Sequence, residues 1–273
     1  LNKKILFRWI KVVVLLYCLA GIATYYGQER LIFHPQKAEP NTWYHFDKPA
    51  TELNLNYDQN TNLNIVEFKA TDRPADSVAK GVVLFFHGNA GNISGWASDA
   101  NDFTAKGYEV WMMDYPGYGK STGTLDEPSM YKYSLLFYKL ARSRWKPGQI
   151  IICGRSIGTG IAAQLAAVRD CRRLILECPY YDIPSLFRRY LPIYPYGAML
   201  HFHFPTYEYL PKVTAPVTIF HGDRDRTILH SNSERLARLL KPGDEFLTVV
   251  GAGHNDLNAG PWFKAKLDSL LAR

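Results

Sequence analysis

A serine flanked by glycines, in the run Gly154-Arg155-Ser156-Ile157-Gly158, is the first residue in this chain with a chemical task suggested by its setting. An apolar stretch, 150–153, leads into it, and 159–167 reads as a helix opening with small residues, so the serine sits on a strand–turn–helix junction. Such a turn is strained, and the positions two before and two after it approach neighbouring backbone too closely to carry side chains. A hydroxyl is a poor nucleophile near neutral pH and needs a histidine base, which a carboxylate must orient. His254 follows the last apolar stretch in a glycine-rich loop and is the best placed of the eight histidines, with His230 second. For the carboxylate, Asp225 and Asp223 compete in the loop after the preceding strand; spacing gives Asp225 a modest preference, and Glu177 is a distant third. A tetrahedral oxyanion also needs donors, and the backbone N–H groups of Ile157 and Asn89 are the natural pair. The chemistry these residues point to is acyl transfer through a covalent intermediate.

These residues must be carried by a mainly parallel sheet. From residue 81 onward, apolar runs alternate with helical patterns, which implies strands buried on both faces. Strands are predicted at 81–86, 108–113, 150–153, 174–178, 217–220 and 246–250, and helices at about 96–106, 126–144, 231–240 and 261–271. Shorter strands at 43–46, 53–57 and 63–68 form an antiparallel opening, and the polar stretch 70–80 loops out. The glycine-rich polar loops fall at the carboxyl ends of the parallel strands, where open α/β sheets place their sites. Residues 179–216 break the rhythm and, being rich in aromatics and proline, are expected to form one or two short helices that cover a pocket.

Composition excludes some classes. With 47% apolar and 21% charged residues the 273-residue chain is ordinary globular material, and its +7 charge is scattered outside the N-terminus. No nucleic-acid motif accompanies it, so no nucleic-acid partner is expected. Neither His87-Gly88 nor Gly119-Lys120-Ser121 makes a phosphate-binding loop, and the four cysteines have no metal spacing, so no cofactor and no metal are expected. Cys18 and Cys153 read as small hydrophobes, while a Cys171–Cys178 disulfide stays open. Lys3, Lys4, Arg8 and Lys11 precede an uncharged apolar run, 12–26, which reads as a retained signal anchor or the core of a cleaved signal peptide. Retention with the basic end in the cytoplasm would place the rest of the chain on the other side of the membrane; in a bacterium that means an inner-membrane protein facing the periplasm. The alternative is a secreted protein.

The run His87-Gly-Asn-Ala-Gly-Asn92, Asp114-Tyr-Pro-Gly-Tyr-Gly-Lys-Ser121, Gly154-Arg-Ser-Ile-Gly158, Ala215 through Asp225, and Gly251-Ala-Gly-His-Asn-Asp256 resembles the α/β-hydrolases. It is most similar to the membrane-anchored serine hydrolases of the Bem-type and prolyl-oligopeptidase-like group, whose juxtamembrane segment Leu31-Ile-Phe-His-Pro35 resembles. The resemblance implies an α/β-hydrolase fold: a mainly parallel eight-stranded sheet with helices on both faces, a small lid insert at about 184–210 and an N-terminal membrane helix. It divides the chain into an anchor, 1–28, and one hydrolase domain, 29–273. Carried over, Ser156 is the nucleophile, Asp225 the acid and His254 the base, with Asn89 and Ile157 as oxyanion donors. His87, Gly88 and Tyr115 become pocket candidates, and Pro116 replaces an arginine common in relatives. The implied activity is that of a serine carboxylesterase or acyl-thioesterase on a small acyl, even lipid-like, substrate or lipidated protein, with no obligate protein partner. The alternatives are a serine peptidase and a non-catalytic, membrane-tethered binding protein.

Overall fold

The computed structural model describes residues 3–71 and 78–272. Part of the polar loop expected at 70–80 therefore lies outside the described residues. The first element is a 30-residue helix, α1 (Lys3–Ile32), with a mean hydropathy of 2.1 over its most apolar window and none of that window buried. This single long apolar N-terminal helix is consistent with a membrane anchor or a signal sequence.

One sheet of eight strands organises the rest. Its strands are β1 (Ala50–Asn56), β2 (Asn62–Phe68), β3 (Gly81–Phe86), β4 (Tyr108–Met113), β5 (Ile150–Arg155), β6 (Arg173–Glu177), β7 (Val217–Gly222) and β8 (Glu245–Val249). In space they run β8-β7-β6-β5-β3-β4-β2-β1. The first two are antiparallel to each other, β2 is antiparallel to β4, and the remaining pairs are parallel. This is the α/β-hydrolase fold expected from the motifs. Every residue of β3, β4, β5 and β7 is buried, as apolar runs covered on both faces must be. One side packs on α2 (Glu127–Arg142) and α3 (Gly158–Val168), through Phe137, Ile161 and Leu165 among others. The other side packs on the closing helix Pro261–Ala272 through Phe263, Leu267 and Leu270.

Three local expectations differ from the structure. Residues 43–46 form no strand; Trp43 is exposed, while the Tyr44 ring packs on Phe46 and the Phe46 ring on Phe68. The helix expected over 96–106 is three short turns, Ile93–Trp96, Ala97–Ala100 and Asn101–Thr104. Asn92 starts the first by accepting from the Ser94 N–H, and the middle turn bends Asp99 toward Arg155. Between β6 and β7, three short helices rather than one or two occupy the aromatic stretch: α4 (Ile183–Tyr190), Tyr196–Met199 and Thr206–Tyr209.

Strand register sets the site. Phe86 pairs with Gly154, so the loop after β3 lies beside the Ser156 turn. Val249 pairs with Gly222 and Glu177 with Phe220, which lines up the loops leaving β6, β7 and β8 at the same sheet edge.

Candidate active site

Ser156 has φ 53°, a left-handed conformation that a non-glycine residue adopts only under local constraint. The constraint is visible on both sides: its N–H donates to the Glu177 carbonyl at 2.9 Å, and its own carbonyl accepts from the Thr159 N–H at 3.0 Å. The flanking glycines are steric necessities. A Cβ at Gly158 would lie 2.1 Å from the Phe86 carbonyl oxygen, and one at Gly154 would lie 2.6 Å from the Gly158 oxygen.

The serine Oγ lies 3.0 Å from His254 Nε2, and His254 Nδ1 lies 2.7 Å from Asp225 Oδ2. Asp225, not Asp223, therefore meets the histidine; Asp223 instead accepts from the Gly251 N–H. The Oδ1 of Asp225 accepts the N–H groups of Thr227 and Ile228 at 2.8 and 2.9 Å. Burial opposes charge on Asp225, but hydrogen bonds from His221 and His254, the attraction of His254 and the Ile228 N–H outweigh it. The carboxyl is held well below the usual range, so it stays an anion facing the imidazole. His230, the second-choice base, instead lies 2.9 Å from the Thr248 hydroxyl.

What surrounds Asp225 corrects the expectation of a lone Ser–His–Asp triad. Cys178, His221 and Asp225, all buried, bring a sulfur, a ring nitrogen and a carboxylate oxygen within 4.8 Å of one another. His221 Nε2 is 3.2 Å from Asp225 Oδ2. The site thus contains a Cys–His–Asp group built on the same carboxylate, and serine is not its sole candidate nucleophile. Cys178 is not a disulfide partner either: all four cysteines are free. The missed signal was register, because the strand pairing of Glu177 with Phe220 sets Cys178 beside His221. Burial, reinforced by the charge of Asp225, pushes the Cys178 thiol well above its ordinary range, and its sulfur is 4.0 Å from the His254 carbonyl oxygen.

Arg155 is the second residue the sequence did not mark. Its guanidinium binds Asp99 at 2.5 Å and donates to the carbonyls of His254 and Asn255 at 3.3 and 3.2 Å. The residue before the serine thereby holds the loop that carries the histidine. Glu177, 3.8 Å from Arg155, is buried, and desolvation pushes its carboxyl up to about 8 despite the arginine.

A cavity of about 180 Å³ opens over Ser156 and is lined also by Asn89, Ile157, Tyr180, Phe187 and Ile32. Asn89 and Ile157 thus stand where expected, beside the serine. Among the described residues, the backbone N–H of neither is taken by another backbone acceptor. His87, Gly88 and Tyr115, expected in the pocket, do not line this cavity. His87 is buried against Asp114 at 3.3 Å, and the Tyr115 hydroxyl donates to the His87 carbonyl; they brace the Asn89 loop from behind. Gly88 sits under Trp96, where a Cβ would meet the indole at 2.6 Å.

Comparison with known proteins agrees with this architecture. Residues 81–199 match the family model for the alpha/beta hydrolase fold. Over 202 residues the chain is 31% identical to alpha/beta hydrolase domain-containing protein 17B of Xenopus laevis, covering 71% of this chain and 67% of that protein. It is 32% identical to protein 17C of Xenopus tropicalis over 70% of this chain, a match that spans 61% of the relative's length. An esterase of Pyrococcus furiosus superposes with a TM-score of 0.66 at 15% identity, covering 89% of this chain and 97% of that one. A soluble variant of the monoglyceride lipase of Saccharomyces cerevisiae gives 0.60 at 17% identity over 86% and 97% of the respective chains.

Proposed function

The chain belongs to the α/β-hydrolase family, and from that premise we propose that it hydrolyses small acyl esters or thioesters at the cavity over Ser156. The observation that carries this is the hydrogen-bonded line Ser156 Oγ, His254 Nε2, His254 Nδ1, Asp225 Oδ2 at 3.0 and 2.7 Å, opening on an apolar cavity. Ser156 lines the cavity with its Oγ 3.0 Å from His254 Nε2, whereas Cys178 does not line it. Cys178 keeps its proton and faces a carbonyl.

In the reaction, Ser156 Oγ bonds to the acyl carbon as His254 Nε2 takes its proton. The carbonyl oxygen, now an anion, meets the N–H groups of Asn89 and Ile157. The protonated imidazole, held by Asp225, then passes the proton to the departing alcohol or thiol. Water attacks the acyl-serine by the same steps, regenerating the hydroxyl and releasing the acid. The apolar lining favours an acyl chain over a peptide. The run of Leu31 to Pro35, which spans the end of α1, favours the membrane-anchored Bem-type branch of the family. Lys3, Lys4, Arg8 and Lys11 at the start of α1 favour a domain on the non-cytoplasmic side.

The test is adduct mapping with a fluorophosphonate and with iodoacetamide, alongside turnover of p-nitrophenyl and acyl-thioester substrates. The expected adduct is on Ser156, Ser156→Ala abolishes turnover, and Cys178→Ala stays labelled and active. Turnover that survives Ser156→Ala and is lost in Cys178→Ala assigns the nucleophile to the thiol and overturns the role given to Ser156.

A further inference from the structure

The segment leaving α1 does not merely connect it to the hydrolase domain. Residues 32–36 run as a strap along the loop that carries Asn89. The Asn89 side chain donates to the Ile32 carbonyl at 2.9 Å, and the Asn89 carbonyl accepts the His34 N–H at 2.8 Å. Further along, His34 and Pro35 pair in parallel with Ala90 and Gly91. The Gln36 N–H then donates to the Gly91 carbonyl at 2.8 Å, and Asn92 Nδ2 donates to the Gln36 carbonyl at 3.0 Å. Through these bonds the strap holds the side chain and the carbonyl of Asn89, flanking its N–H. The same turn of helix reaches the cavity: Ile32 is buried in its wall, and Leu31, more than half exposed, stands at its rim.

We propose that the last turn of α1 and the strap after it are working parts of the active site. The strap is the positioning element for the Asn89 N–H, and Leu31 with Ile32 sets the length of acyl chain accepted. The physical case is geometric. An oxyanion donor displaced by a fraction of an ångström loses much of its effect, and a two-residue ladder with flanking side-chain bonds is what holds a glycine-rich loop still. A wall residue of a hydrophobic pocket discriminates by methylenes, each extra or missing one being worth roughly tenfold or more. This rests on the acyl-hydrolase reading above.

The experiment uses the full chain. Leu31→Trp narrows the rim and lowers the octanoyl-to-acetyl ratio of kcat/KM on p-nitrophenyl esters about tenfold, while Ile32→Ala deepens the wall and raises it. For the strap, His34→Pro removes the N–H that Asn89 accepts; it lowers kcat for the acetyl ester about tenfold with KM within about twofold. His34→Ala, which keeps the N–H, recovers most of that loss. Endpoint titration with a fluorophosphonate counts folded sites, so rates are compared per titrated serine. A ratio unchanged in both wall variants overturns the specificity role. A His34→Pro effect that falls on the titre or on KM alone, or that His34→Ala reproduces, overturns the positioning role. Wild-type protein that labels but turns over no acyl ester would instead sink the function reading on which the proposal stands.

Discussion

At the scale of single residues, the turn at Ser156 makes demands that the flanking glycines must meet. Because a Gly158 side chain would run into the Phe86 backbone and a Gly154 side chain into the next turn, Gly158→Val and Gly154→Val should lose on the order of 3 kcal/mol or more of stability. The measurement is urea unfolding of the variants; midpoints equal to wild type would show that the turn can relax. Asp225→Asn keeps the shape but lets the amide hold the wrong imidazole tautomer, and should lower kcat about 10⁴-fold without moving the unfolding midpoint. Glu177 gives the pH prediction. Its carboxyl, raised to about 8 chiefly by burial, keeps in the folded state a proton that the unfolded chain has lost. Stability therefore falls as pH climbs from the ordinary carboxyl range toward 8, at up to about 1 kcal/mol per pH unit. Glu177→Gln, uncharged at every pH, should flatten that slope in melts between pH 5 and 8; an unchanged slope would place the titration elsewhere. Ser156, Asp225 and His254 were legible in the sequence because each closes a strand with a recognisable loop. Cys178, His221 and Arg155 were not, because their importance comes from neighbours across the sheet edge, and a single sequence does not print register.

At the scale of elements, the same division recurs. Asp126 and Glu127 mark the start of α2, and the structure bears this out: Asp126 caps the helix by accepting from the Ser129 N–H at 2.7 Å. The acidic first turn also has a second task that no local pattern reveals. Glu127 Oε2 accepts the N–H groups of His203 and Phe204 at 2.5 and 3.0 Å, and Phe204 is held at φ 39°. One carboxylate therefore ties the segment between β6 and β7 to the body of the domain at a strained point. Glu127→Ala leaves two part-buried donors without their partner, at a cost of about 1 kcal/mol each. Faster amide exchange confined to 200–209, with β3 and β5 unchanged, is the expected result. Exchange that rises equally through the sheet would mean that Glu127 supports the whole domain instead. The failed helix at 96–106 teaches the complementary lesson, since its apolar spacing was real but Asn92 and the pull of Arg155 on Asp99 broke it into turns.

For the whole molecule, α1 is joined to the hydrolase domain at more than its end. The Tyr17 and Tyr194 rings stack at 4.5 Å, the Tyr194 hydroxyl donates to the Tyr17 carbonyl at 2.5 Å, and the Tyr25 ring meets His201 edge-on at 4.9 Å. Near the helix end Gln28 is buried, its carbonyl oxygen accepting the His201 N–H at 2.5 Å while its amide reaches the Tyr25 carbonyl at 2.7 Å and the Met199 carbonyl at 3.5 Å. A long apolar helix read from sequence is an attachment and nothing more, because hydropathy records what a surface avoids and not which loop it touches. Here it bonds both to the segment covering the pocket and, through the strap, to the Asn89 loop, so motion of the helix against the domain must reach the site from two sides. Gln28→Ala cuts the middle of that connection without adding a charge to the helix or touching the cavity. In the chain with α1 present, kept in one detergent throughout, it should raise amide exchange at 199–203 and in the strap 33–36 by about tenfold, matching the loss of about one buried hydrogen bond. If exchange rises at 199–203 but the strap stays as protected as before, the helix holds its two contacts independently, and the path from α1 to Asn89 runs through Ile32 alone.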